Sequence, residues 1–174
     1  MSDDGTLAVD GWGALRSKIV SWYDPAISAS AGASIPGREH LQAIIDGKLP
    51  VPPFAALVGA RLDSVAEGEA VFRCTPDEST YNPAGVVHGG LLCMLLDSAC
   101  GCAVQSLLPA GVAISSIEIK VSFLSPLRSD SGELEITGKA LRVGRQAAFA
   151  EADARSGEGK LVGHATSSIA LLRP

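Results

Sequence analysis

One segment of the 174-residue chain concentrates the residue types that do chemistry: Asn82-Pro83-Ala84-Gly85-Val86-Val87-His88-Gly89-Gly90-Leu91-Leu92-Cys93-Met94-Leu95-Leu96-Asp97. Gly89 and Gly90 open an apolar run that reads as a helix. The first backbone N–H groups of a helix have no partner within it, and the helix dipole adds partial positive charge there. Two glycines leave those donors unshielded by side chains. Such an N-terminus polarises a carbonyl group and stabilises an oxyanion forming on it. Asp97 is the second chemical group. It lies among Leu91, Leu92, Met94, Leu95, Leu96 and Ala99, and the next cation along the chain is Lys120. A carboxylate in such surroundings is costly unless it meets a partner in three dimensions or acts in a dry cleft as general base or nucleophile.

The spacing of these two groups constrains the mechanism. At about 1.5 Å rise per residue, Gly89 and Asp97 stand roughly 12 Å apart on one continuous helix. A carbonyl-binding donor and an acid–base group must both lie within about 3 Å of the reacting atoms. A single helix cannot supply both to one substrate. Two antiparallel copies related by a two-fold axis can, with Gly89 of one facing Asp97 of the other. The spacing therefore predicts a dimer with two equivalent sites at its interface.

The elements that position this segment follow from periodicity. Residues 57–65 and 69–75 read as strands joined by Glu67-Gly68, and Tyr81 to Val87 as a loop. Leu91 to Leu107 is long enough for four to five helical turns and apolar nearly all round, so other elements must wrap it. Four strand-like stretches follow: Ile114–Leu124, Gly132–Val143, Arg145–Arg155 and Lys160–Leu172. The first contains a period-two alternation from Ile117 to Phe123. Ser125-Pro126, Gly144 and Ser156-Gly157-Glu158-Gly159 separate them, and short breaks favour antiparallel neighbours. Two strands, one helix and four strands fit a single antiparallel sheet wrapped around one long helix, an α+β architecture.

The first fifty residues read differently. Ala14, Leu15, Ile19, Val20 and Trp22 have a loose helical period ended by Asp24-Pro25. Ser28 to Ser34 reads as a linker, and Arg38 to Lys48 as a short helix through Leu41, Ile44 and Ile45, stopped by Pro50-Val51-Pro52-Pro53. The division expected is a helical extension over 1–50 and a domain over 51–174. The extension offers no chemistry by its residue types. His40 and His164 have no companions in the sequence and are read as structural.

Composition excludes several classes. Lys and Arg number 14 against 19 Asp and Glu, a net charge of −5, which argues against a nucleic-acid partner. Hydrophobic residues make up 47%, yet there are only two Trp, two Tyr and four Phe, so the core must be aliphatic and rich in Ala and Gly. Charged residues at 19% are few for a small domain, which favours an oligomer. Cys74, Cys93, Cys100 and Cys102 show no metal-ligand spacing and read as free thiols in the core. Leu91 to Val104 is too short and, with Asp97, too polar to span a bilayer. The start, MSDDGTLAVDGWG, has neither a basic nor an apolar leader region, so a cytoplasmic location is expected.

The pattern N-x-x-G-x-x-H-G-G-x-x-x-x-x-x-D, followed by S-x-E-x-K-V-x-F-L-x-P and R-V-G-R, resembles the hotdog-fold thioesterases, and most closely the PaaI-like acyl-CoA branch. The resemblance runs from about Pro53 to Leu172. It implies hydrolysis of acyl-CoA thioesters by a homodimer, assembled further as a dimer of dimers, with no metal and no cofactor beyond the coenzyme A of the substrate. It implies Asp97 as the catalytic carboxylate and Gly89 as the amide donor to the thioester carbonyl. Asn82 would help position the thioester or the water, His88 would support the site, and Ser116 would lie near the water, with Ser115 exchanging for it if the register moves by one. Gly90, Gly144 and Arg145 would contact the coenzyme A portion. Residues 120–145 carry Lys120, Arg128, Lys139, Arg142 and Arg145 against Asp130, Glu133 and Glu135, leaving +2, which suits a phosphorylated ligand. A hydratase or dehydratase on the same fold, using His88 beside Asp97, and a non-catalytic acyl-CoA or lipid-binding module are the competing expectations.

Overall fold

The computed structural model describes residues 13–173. The reading of the N-terminal leader falls mainly on residues outside that range. Three short helices come first: α1 (Pro25–Gly32), α2 (Gly37–Ile45) and α3 (Pro53–Val58). Strands β1 (Ala60–Ala66) and β2 (Glu69–Cys74) precede the long helix α4 (Gly89–Gln105). Strands β3 (Ala113–Phe123), β4 (Leu134–Val143), β5 (Ala147–Arg155) and β6 (Leu161–Leu172) complete the fold. All six strands form one antiparallel sheet in the order β1-β2-β4-β5-β6-β3, so β1 and β3 are its edges.

The sheet approaches α4 closely where its inner face carries very small residues. Ala148, Ala150, Ala152 and Ala154 alternate along β5 and are all buried. Across the sheet, Ala70, Gly138, Ala152 and Ala165 stand in register and make a shallow trough. Onto this trough α4 lays Leu91, Leu92, Leu95, Leu96, Ala99 and Ala103, all buried. The expected Ala- and Gly-rich core is thus a means of bringing a helix axis close to a sheet. It also explains how so few aromatic residues suffice, since little space remains to be filled.

The N-terminal part departs from expectation at three places. Residues 13–24 form no helix, and Leu15 and Ile19 are 86% and 93% exposed. A short helix in water needs a buried apolar face, and none of this segment's large side chains finds one. Instead it is tied to the loop before Tyr81 by Arg16 with Glu78 and by Lys18 with Asp77 at 2.7 Å. Asp24-Pro25 begins a helix rather than ending one: the Asp24 carboxylate accepts from the Ala26 N–H at 2.9 Å, and Pro25 occupies the first turn. The stretch read as a linker is therefore largely α1, helped by the helix propensity of its alanines. Finally, residues 57–58 belong to α3 and not to a strand. Pro53 starts that helix, and Gly59, at φ +68°, closes it in the left-handed conformation.

Candidate active site

Helix α4 starts where the sequence places it, and its N-cap is His88. The His88 Nδ1 accepts from the Gly90 N–H at 2.8 Å, so the ring satisfies one of the helix's free donors. Gly90 is thereby committed to the cap. Among the described residues, the Gly89 N–H meets no acceptor. Both positions are crowded by side chains: a Cβ on Gly89 would lie 2.9 Å from the Phe123 ring, and one on Gly90 would lie 2.9 Å from His88 Nδ1, so a larger residue at either would have to displace a ring. Phe123, read from the sequence only as the end of a strand alternation, thus shields the flank of the free donor.

Asn82 prepares the approach to the helix. Its Oδ1 accepts from the Ala84 N–H at 2.9 Å and from the Val86 N–H at 3.4 Å, and its own N–H donates to the Val86 carbonyl. The side-chain oxygen therefore holds the loop. Asn82, Gly89 and Phe123 line one depression together with Leu124 and Leu127.

Asp97 lies elsewhere. The Ser116 hydroxyl donates to its Oδ1 at 2.7 Å, and Asp97 forms no ion pair among the described residues. Ser116, not Ser115, is the carboxylate's partner because β3 is irregular here. Ser116 pairs with Ile169 and Glu118 with Ser168, so Ile117 is an extra, unpaired residue. The bulge changes which parity faces α4. Ile114 reaches Gly101 and Ser116 reaches Asp97 ahead of it, whereas Phe123 reaches Gly89 beyond it. The alternation from Ile117 onward is real, but its first member is lifted out and stands 64% exposed.

Asp97 and Ser116 border a largely apolar cavity of about 260 Å³. Its walls come from α4 (Asp97, Gly101, Gln105), the sheet (Leu62, Phe72, Ile114), α3 (Phe54) and the extension (Leu41, Ile44). Arg61 borders it too, but its guanidinium is held by Glu133 at 2.6 Å and by Asp63 at 3.5 Å. The extension thus contributes to the site, against the expectation that it carries no chemistry. The apolar face of α2, visible as Leu41, Ile44 and Ile45, was the available signal.

Side chains that stand alone in the sequence find partners in the fold. His40 has companions: its Nε2 lies 3.0 Å from Ser28 Oγ, and its Nδ1 lies 3.2 Å from Gln105 Nε2. His164 has Asp153 at 2.8 Å on the outer face of the sheet. In the basic stretch, Glu133 and Glu135 are engaged by Arg61 and Arg73, which lie outside it. Gly144 and Arg145 form the β4–β5 turn and border neither the Asp97 cavity nor the Gly89 depression. The thiols are free as expected. Burial, then the nearby Asp97 charge, pushes both the Cys100 and the Cys102 thiol up to about 12, and burial pushes Cys74 up to about 11.

A sheet wrapped on one helix, with a carboxylate mid-helix and a free amide at its glycine-rich start, defines the hotdog thioesterase class, and the chain belongs to the thioesterase superfamily, whose family model matches residues 84–163. Among similar proteins, "Putative esterase SSO2140" of Saccharolobus solfataricus is 30% identical over 110 residues, covering 63% of this chain and 76% of that protein. "Putative esterase VNG_1336C" of Halobacterium salinarum is 35% identical over 101 residues, covering 55% of this chain and 65% of that one, just under two thirds of its length. Of solved structures, a phenylacetic acid degradation-related protein of Ralstonia eutropha, described as a "putative thioesterase", is 28% identical with a TM-score of 0.68, covering 75% of this chain and 98% of its own. Among the described residues no helix is long and apolar enough to cross a membrane.

Proposed function

We propose that this protein hydrolyses acyl-CoA thioesters to a free acid and coenzyme A, at two equivalent sites shared between two copies of the chain. The observation that carries this reading is Asp97: a carboxylate bordering an apolar cavity, bonded among the described residues by Ser116, with the free Gly89 N–H about 12 Å away on the same helix. Neither group by itself can turn over a thioester. In the proposed dimer the partner's Gly89 binds the carbonyl oxygen, and Asp97 either takes a proton from the attacking water or attacks the carbonyl carbon itself. In both routes the C–S bond breaks, the thiolate of coenzyme A leaves and takes up a proton, and water supplies the oxygen of the acid. Two features support an interface along β3. It is an edge strand with an unpaired backbone, and it carries Ile117 and Phe123, 64% and 56% exposed.

Two substitutions test the reading. Asp97→Asn keeps shape and removes the acid–base and nucleophilic function; thiol release should fall at least about a hundredfold with folding kept. Gly89→Pro deletes the amide donor itself. Gly89 is the first residue of α4, where the backbone tolerates proline, His88 before it is already extended at φ −64° and ψ 134°, and the Phe123 ring that an added Cβ would meet is 56% exposed and free to turn aside. Losing one such donor costs about 10²–10³ in rate. Each variant alone should be nearly inactive. Unfolded and refolded together, the two should regain about a quarter of wild-type activity, because half the dimers are mixed and each mixed dimer holds one intact site. No recovery from two folded, dimerising variants would refute the shared site, and wild-type rates in Asp97→Asn would refute the chemistry.

A further inference from the structure

Helix α2 lies outside the segment that matches the superfamily, yet it closes the cavity beside Asp97. Along α4 the cavity is bordered by Asp97, Gly101 and Gln105. Asp97 and Gln105 are eight residues, or about 12 Å, apart. The far end is where α2 is fastened. Gly37 packs so tightly on the Gln105 backbone that a Cβ there would lie 1.9 Å from its carbonyl oxygen, and the Gly37 N–H donates to the Leu108 carbonyl at 3.0 Å. One turn further on, His40 bridges Gln105 and Ser28, joining α1, α2 and α4. This anchorage sets Leu41, next to His40, at the Gln105 end of the cavity, with Ile44 one turn further along α2 on the same wall.

Resting on the acyl-thioester reading, we infer that α2 is the end wall of the acyl pocket and that Leu41 and Ile44 set the longest acyl group accepted. The phosphates of coenzyme A require water and cations, so the apolar cavity suits the acyl half of the substrate. An extended chain with C–C bonds of about 1.5 Å advances roughly 1.25 Å per carbon, so 12 Å holds about ten carbons. The volume agrees: a dry cavity of roughly 150 Å³ accepts benzene, and this one is about 260 Å³. The substrate class is therefore medium-chain or single-ring acyl groups, with long-chain acyl groups excluded by α2.

The test compares wild type, Ile44→Ala and Ile44→Phe, with Leu41→Ala as a further variant. Hydrolysis is followed on hexanoyl-, octanoyl-, decanoyl-, dodecanoyl- and hexadecanoyl-CoA. Binding of the matching S-alkyl-CoA thioethers, which cannot be hydrolysed, is measured by calorimetry. Each methylene that fits should tighten thioether binding about fourfold, up to a cut-off near ten carbons. Ile44→Ala should raise the dodecanoyl-to-octanoyl ratio of kcat/KM at least tenfold, and Ile44→Phe should shift the cut-off to shorter chains. Leu41→Ala should act as Ile44→Ala does, which covers the case that the latter fails to fold. A wild type without a cut-off, or ratios within twofold of wild type in the folded variants, would overturn the inference. The two readings separate cleanly. A cut-off in thioether binding that moves with residue 44 while no thioester is hydrolysed sinks the hydrolytic reading and leaves the wall standing. Hydrolysis with a cut-off that does not move sinks the wall alone.

Discussion

Gly138→Ala measures how closely the site's helix is seated. Gly138 lies in the small-residue trough of β4, and a Cβ built there would stand 2.2 Å from the Ala99 carbonyl oxygen, 2.3 Å from its carbon and 2.9 Å from the Cys100 nitrogen. These are backbone atoms of α4, so no side chain can swing aside. To reach the 3.4 Å at which such contacts become ordinary, helix or strand must retreat by about 1.2 Å. A gap of 0.5–1 Å already forfeits a quarter to a half of a dispersion contact. The contacts at stake are those of the fully buried Leu95, Leu96, Ala99 and Ala103. Overpacking by one methyl costs about 1–3 kcal/mol where side chains adjust, and a backbone clash belongs at or above the top of that range. We expect at least about 3 kcal/mol, a fall in urea midpoint of at least 1.5 M for a slope of about 2 kcal/mol/M. Ala99 is two residues from Asp97, so the retreat also parts Asp97 from Ser116, and the folded fraction should lose activity. Gly163→Ala is the control. Its Cβ would meet Leu92, Leu96 and Ala154 at 3.6–3.7 Å, ordinary contacts, and the less flexible unfolded chain favours the variant by about 0.4–1 kcal/mol. Urea unfolding by far-UV circular dichroism decides the matter. A midpoint for Gly138→Ala within 0.3 M of wild type, or an equal fall in Gly163→Ala, would refute this account of the packing.

Other outcomes follow from the same structure. Ser116→Ala removes the hydroxyl that bonds Asp97 at 2.7 Å; a hydrogen bond to a charged group is worth about 1.5–3 kcal/mol, and Ser116 is exposed, so about a tenfold loss in kcat with KM little changed is expected in the thiol-release assay. The thiols can be counted with a disulfide reagent at pH 8. With Cys100 pushed up to about 12 and Cys74 to about 11, and both buried, at most about one part in a thousand of each is thiolate, so these two should react slowly in the native protein and all four thiols should react after denaturation. Burial favours the neutral thiol, so reactivity of the slow two should climb as the pH rises toward 11; fast reaction of three or four native thiols at pH 8 would contradict the burial.

What the sequence determines by itself is whatever short-range periodicity encodes. The apolar run after His88-Gly89-Gly90 has to be a wrapped helix, and helical rise alone sets Gly89 and Asp97 about 12 Å apart. Alternation in Ala147–Arg155 marks a strand whose buried positions are all alanine, and the close seating of that part of the sheet on α4 follows from that. The partners of these groups depend on contacts between residues far apart in the chain, which no local pattern carries. Which serine meets Asp97 is decided by a bulge at Ile117, created by pairing with β6. His40 becomes a clamp only because α1 and the end of α4 converge on it. Residues 13–24 have a helical period but no surface to bury it on, while the Ala- and Ser-rich stretch after Asp24 finds both a cap and a neighbour. The cavity itself, closed by α2 from outside the superfamily match, exists only once helix, sheet and extension are assembled, because a volume belongs to none of the segments that border it.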